Sequence, residues 1–314
     1  GDGRATLGPV LREYIISEYM NSINIPTTRS LAAITTGEKV VRERILPGAI
    51  LVRIANSHIR VGTFQYFAAR QMTKEIKILA DYIIERHFKL SLSSKNIYEK
   101  FLMEIIKSQA NLISKWMSAG FIHGVMNTDN TCLSGETIDY GPCAFMDIFD
   151  YNKVFSSIDY QGRYSYKNQP NIILWNLTRF AETILPLIDN NLNKSIKKAE
   201  EILNEFASIY ESNWISIMGY KLGIDEANKT DKNLIEEFLT LMQNQQLDFT
   251  NSFYSLSFLI EKDQIEKEGP PKSHRIYSKI KSSDWYARWT KRLNVNKKNL
   301  KKILKTLLIN NPSI

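Results

Sequence analysis

Residues 123–130, His-Gly-Val-Met-Asn-Thr-Asp-Asn, with Asp139-Tyr140-Gly141-Pro142 nine residues further on, form the stretch from which the rest of this chain is best read. A carboxylate and a carboxamide stand side by side, and a second carboxylate follows in a tight Gly-Pro turn. These are hard oxygen ligands of the kind Mg²⁺ and Mn²⁺ prefer, and Mg²⁺ is commonly held by one or two of them plus substrate phosphates. Phosphoryl-transfer sites of the kinase type need this inventory: an Asp to accept a hydroxyl proton, an Asn on metal, and an Asp on metal before a glycine turn. Taken alone, the same residues also suit an ordinary polar loop, since Asn, Asp, Thr and Gly are common turn formers.

Working outward, the stretch lies between two helical blocks. Upstream, Ile97, Phe101, Ile105, Leu112, Ile113 and Trp116 make a broad apolar stripe over 96–119, which Gly120 ends. Downstream, Pro170 opens a helix whose buried side is Ile173, Leu174, Leu177, Phe180, Ile184 and Leu187. Further helices are predicted over 192–219, 231–244, 249–260 and 297–309, with exposed loops at 219–230 and 262–273. Aromatic residues at helical spacing are expected in the core. The first sixty or so residues differ: one helix carrying Leu11, Ile15 and Tyr19, then three short strands at 30–35, 39–45 and 49–54, punctuated by Gly37 and Pro47-Gly48. The expected fold class is therefore α+β. A mixed α/β lobe (1–64) precedes a mainly helical lobe (65–314), and the candidate catalytic and metal loop (123–150) sits where a nucleotide cleft would lie.

The 314 residues are 43% hydrophobic and 24% charged, as in soluble globular chains. No apolar run approaches a membrane span, and a cytoplasmic location is the default expectation. The two cysteines, Cys132 and Cys143, are too few for a disulfide framework or a zinc site and are read as free thiols. The net charge of +8 is local: residues 271–314 hold twelve Lys/Arg and one Asp, and the remainder is slightly acidic. Lys297, Lys298, Lys301, Lys302 and Lys305 alternate with Leu300, Ile303, Leu304 and Leu307, an amphipathic helix with a basic outer face rather than a nucleic-acid reader.

HGVMNTDN…TIDYGP.AFMD..D (123–150) resembles the signature of the selenoprotein O, or YdiU-like, family. GDGRATLGPVLREYIISEYMNSINIPTTRSL (1–31), GAILVRIANSHIRVGTFQYF (48–67) and DYQGRYSYKNQPNIILWNLTRFAETILPLI (159–188) are similar to that family too, in its order. The resemblance implies a protein-kinase-like two-lobe fold and a protein adenylyltransferase. Such an enzyme binds ATP flipped relative to kinases and moves AMP to Ser, Thr or Tyr hydroxyls of proteins with Mg²⁺ or Mn²⁺. It implies Asp129 as proton acceptor, Asn130 and Asp139 as metal ligands, and Asp2, Gly3, Arg53, Arg60 and Asp139 as nucleotide contacts. Glu13 matches the helix glutamate that pairs with the phosphate-binding lysine of kinase-like folds. That lysine would precede Gly1, so the chain reads as a fragment with an incomplete first lobe, expected to be weak or inactive without the full-length protein.

The residues alone leave room beside this. In an ordinary kinase four residues separate the catalytic Asp from the metal-binding Asn, whereas Asp129 and Asn130 are adjacent. Arg53 stands among strand apolar residues and needs a partner if buried, which could be phosphate or a glutamate. His123 could orient the loop or be a buried histidine bonded to backbone. A kinase using the γ-phosphate, or a catalytically silent nucleotide-binding pseudokinase, would use the same side chains.

Overall fold

The computed structural model describes residues 2–88, 90–260, 271–295 and 299–311. The chain is mixed α+β and mostly helical. Strands β1 (Ala5–Thr6), β2 (Arg29–Val41) and β3 (Ile45–Ile54) form an antiparallel sheet in the order β1-β3-β2. Helix α1 (Leu7–Ser22) packs on β2 and β3. It buries Val10, Ser17 and Met20, whereas Leu11 and Ile15 face outward.

The sequence predicted three strands here, and there are two. Gly37 does not end a strand: at φ +75° it lies inside β2, where the register with β3 shifts between Thr35 and Lys39. Pro47-Gly48 likewise lies within β3, and a side chain on Gly48 would meet Thr36 Oγ1 at 2.8 Å. The alternation of β3 turns Arg53 toward α1 and Ile50 and Ile54 to the opposite, exposed face.

After the sheet come α2 (Val61–Ala68), α3 (Thr73–His87) and α4 (Ile97–Ala119). The α4 stripe read from the sequence is buried throughout, and Gly120, at φ +67°, supplies the left-handed stop. Helix α4 packs against α5 (Gln169–Ile188) and α6 (Leu192–Lys221). Phe180 of α5 meets Phe64 of α2 at 5.1 Å and Phe101 of α4 at 5.7 Å, edge to face, so one ring ties three helices together. Between α4 and α5, β4 (Phe121–Ile122) pairs with β5 (Ala144–Phe145) and closes the excursion that carries residues 123–143.

The remaining helices are α7 (Lys232–Gln245), α8 (Phe249–Ile260), α9 (Pro271–Lys281), α10 (Asp284–Leu293) and α11 (Leu300–Asn310). The expected exposed loop at 219–230 is partly interior: Leu222 and Ile224 are buried, and Trp289 donates its indole N–H to Leu222 O at 2.8 Å. Asp231, 2% exposed, is held by Arg292 at 2.6 Å. Of the expected loop at 262–273, residues 262–270 lie outside the described residues, and α9 begins at Pro271. Lys297 and Lys298 lie outside them too; α11 buries Ile303 and Leu307 and pairs Lys302 with Asp225.

Candidate active site

Asp129 sits in a single 3-10 turn (Thr128–Asn130) and is exposed, held in place by buried neighbours rather than by regular structure. His123, fully buried and stacked on Trp116 at 5.2 Å, bonds Ile138 O through Nε2 at 2.8 Å and receives the Val125 N–H at Nδ1. Those partners fix the neutral tautomer with its proton on Nε2. Asn130 donates Nδ2 to Val125 O at 2.9 Å, which leaves Oδ1 for a ligand. A chain of bonds thus runs from Asn130 through Val125 and His123 to Ile138, the neighbour of Asp139. From α5, Gln169 bonds His123 N and Phe121 O, and Asn176 donates to Met126 O (3.0 Å) and Thr131 Oγ1 (2.8 Å). The histidine is therefore both a backbone-bonded core residue and the post on which the two loop segments hang.

Asp139 takes φ +67°, a left-handed conformation that Asp tolerates better than most residues, and Gly141 follows it. The turn is clamped from α1. Glu13 accepts the Tyr140 N–H at 2.7 Å with one oxygen and Arg53 at 3.0 Å with the other, while Arg12 donates to Cys143 O at 2.9 Å. The partner of Arg53 is thus a glutamate, the alternative that its place in an apolar strand left open. Yet Arg53 Nε is buried without a partner. A cavity of about 440 Å³ opens here, lined by Gly3, Glu13, Arg53, His58 and strand residues including Leu51.

Arg60 is set beside the Asp129 loop by backbone pairing. Val61 N bonds Thr131 O, Leu133 N bonds Ile59 O, and Arg60 bridges Cys132. Its Nε, too, is buried without a partner. Burial pushes the Cys132 thiol up to about 12 against the opposing pull of Arg60 and Arg53. Burial likewise raises Cys143 to about 12, and both cysteines are free. Two residues after Arg60, in the first turn of α2, Gly62 makes room for the Asp129 carboxylate: a Cβ there would lie 2.0 Å from Asp129 Oδ1.

The family described as protein adenylyltransferase SelO matches residues 1–314. The chain belongs to the SelO family. It is 50% identical over 314 residues to a protein of Clostridium botulinum strain 657 and 51% identical to one of Clostridium perfringens strain ATCC 13124, each named protein nucleotidyltransferase YdiU. All of this chain and 62% of each relative is covered, so the chain spans less than two thirds of their length.

In this SelO-family chain, Glu13, Arg53 and the Asp139-Tyr140 turn meet directly, and Arg60, Asp129 and Asn130 are joined through the 59–61 and 131–133 pairing. Gly3 shares the cavity with Glu13 and Arg53. Asp2 does not line it: its two oxygens take the Arg42 fork at 3.0 Å each, which holds its carboxyl at about 2. Among the described residues no three His, Cys, Asp or Glu side chains form a ready metal cage. Asn130 and Asp139 supply two oxygens, a set that suits a hard cation completed by phosphate. Gly62, Asn176 and Gln169 went unread in the sequence, because each acts across many intervening residues; the small residue two after Arg60 was the one available cue.

Burial holds the pKa of His123 below its usual 6.5. Below about pH 6.5 the unfolded chain binds this proton more readily than the folded one, so stability is lost as pH falls through that range. Relative to His123→Gln, the wild-type unfolding free energy from urea melts between pH 8 and 5 should drop more steeply, by at most about 1.4 kcal/mol per pH unit. Parallel profiles would mean that His123 takes up its proton as readily in the folded state as in the unfolded one.

Proposed function

We propose that the chain is the catalytic part of a protein adenylyltransferase of kinase-like two-lobe form, moving AMP from ATP to Ser, Thr or Tyr hydroxyls of proteins. The observation that carries this reading is the orphaned, buried Nε of Arg60, beside the loop that presents Asp129, together with that of Arg53, whose partner Glu13 reaches the Asp139-Tyr140 turn. A buried guanidinium N–H without a partner is costly, and a phosphate oxygen is its natural complement. The family's description and the relatives' names support the same chemistry.

Arg53 and Arg60 would hold the β- and γ-phosphates, with Glu13 keeping Arg53 in place. The acceptor oxygen attacks the α-phosphorus, its proton passes to Asp129, and the bond from Pα to the bridging oxygen breaks to release pyrophosphate. Asn130 and Asp139 would hold a Mg²⁺ or Mn²⁺ ion, which when bound would supply charge stabilisation for the phosphates. The side chains otherwise act by positioning and electrostatics. The test is metal-dependent ATP binding by calorimetry on the full-length protein. Asp139→Ala should abolish the Mg²⁺ or Mn²⁺ dependence, and an unchanged dependence would refute the metal assignment.

A further inference from the structure

Trp175 of α5 is 41% exposed and has two guanidinium groups over its ring: Arg163 Cζ lies 4.9 Å from the ring centroid and Arg179 Cζ 5.3 Å. The next residue, Asn176, is the one that clamps the Asp129 loop. We propose that this arginine-flanked tryptophan is the docking surface for an acidic stretch of the acceptor protein, a proposal that rests on the protein-modifying reading above.

Charge complementarity carries the choice of occupant. Among the described residues no carboxylate lies within ion-pair distance of Arg163. The nearby Asp159 is spent on the amide N–H groups of Arg163 (2.9 Å) and Tyr164 (2.7 Å), whereas Arg179 already has Glu182 at 2.6 Å. Lys153 and Lys167 lie close together, with Tyr166 N bonded to Lys153 O and Lys167 N to Tyr151 O, and among the described residues neither joins an ion pair. Ile158 and Tyr160 on the same segment are 78% and 92% exposed. A guanidinium stacked on an aromatic face has lost little freedom by pairing and keeps its edge N–H groups for a bidentate carboxylate. Exposed Trp and Arg side by side are also the composition of binding hot spots. The phosphate arginines of the cleft are different residues, so ATP binding leaves this surface free. The strongly basic stretch of the chain lies elsewhere, at 271–314, so the positive potential here is local and suits a short acidic segment better than a polyanion.

The test is fluorescence anisotropy, without nucleotide, of a fluorescein-labelled peptide with a central Ser flanked by Glu, against the same peptide with Gln in place of Glu. With full-length wild type, the acidic peptide should bind about ten-fold more tightly at low salt, and the preference should shrink as salt rises. Arg163→Gln should remove most of the preference while ATP affinity stays unchanged, and Arg163→Lys should fall between. Equal affinity for the two peptides, or a preference that survives Arg163→Gln, would overturn the proposal. So would tighter, Arg163-dependent binding of a single-stranded oligodeoxynucleotide of equal charge. Because the readout is binding, an acidic preference through Arg163 without any adenylyl transfer would uphold the surface and defeat the reading of the reaction.

Discussion

In the full-length protein, Asp129→Asn should lower the proposed transfer to protein hydroxyls by about 10²–10⁴-fold while the affinity for ATP stays near wild type. The carboxylate belongs to an exposed 3-10 turn whose backbone is fixed by His123, Asn176 and the pairing with residues 59–61, none of which uses the Asp129 side chain. The substitution therefore removes a proton acceptor and little else. Thermal melts of the variant should overlay those of wild type. A large loss of ATP affinity would instead make Asp129 a nucleotide or metal ligand.

Gly62→Ala should do comparable harm without touching a reactive group. The added methyl would lie 2.0 Å from Asp129 Oδ1 and 2.9 Å from Asp129 Cγ, but 3.5 Å from its Cα. Something must move, and the group free to move is the carboxylate itself. Displacing a reacting group by about 1 Å costs roughly 10²-fold in rate. Alanine also favours the helix by about 1 kcal/mol over glycine, so the fold should be retained or slightly stabilised. Transfer kinetics together with a urea melt check both halves. Full activity in the alanine variant would mean that Asp129 works from another rotamer than the one seen here.

These two residues show where the sequence could be read and where it could not. Asp129 could be singled out as a candidate because an Asp-Asn pair followed by Asp139 and a glycine turn is a local pattern, and the family resemblance attaches a role to it. Gly62 was not, since its importance lies in a contact with a loop 67 positions away along the chain. The long helices were legible for the same local reason: the stripes of α4 and α5 are periodic, and α8 spans the stretch predicted for it. The strands were harder. Gly37 and Pro47-Gly48 are ordinary breakers by composition, but the sheet absorbs the first at a register shift and the second at a close approach to Thr36. Arg53 shows the same limit. Its strand position demanded a partner, and only the packing of α1 identifies that partner as Glu13, whose other oxygen reaches the turn at Asp139.

In the proposed reaction the α-phosphorus, not the γ-phosphorus, faces Asp129. The direct measurement is incubation of the full-length protein and an acceptor protein with ATP labelled at either the α or the γ phosphorus, followed by counting of label on protein and analysis of the released product. The expected result is α-label on Ser, Thr or Tyr with pyrophosphate released, and loss of that label with Asp129→Asn. Label from the γ position alone, with ADP as the product, would contradict it.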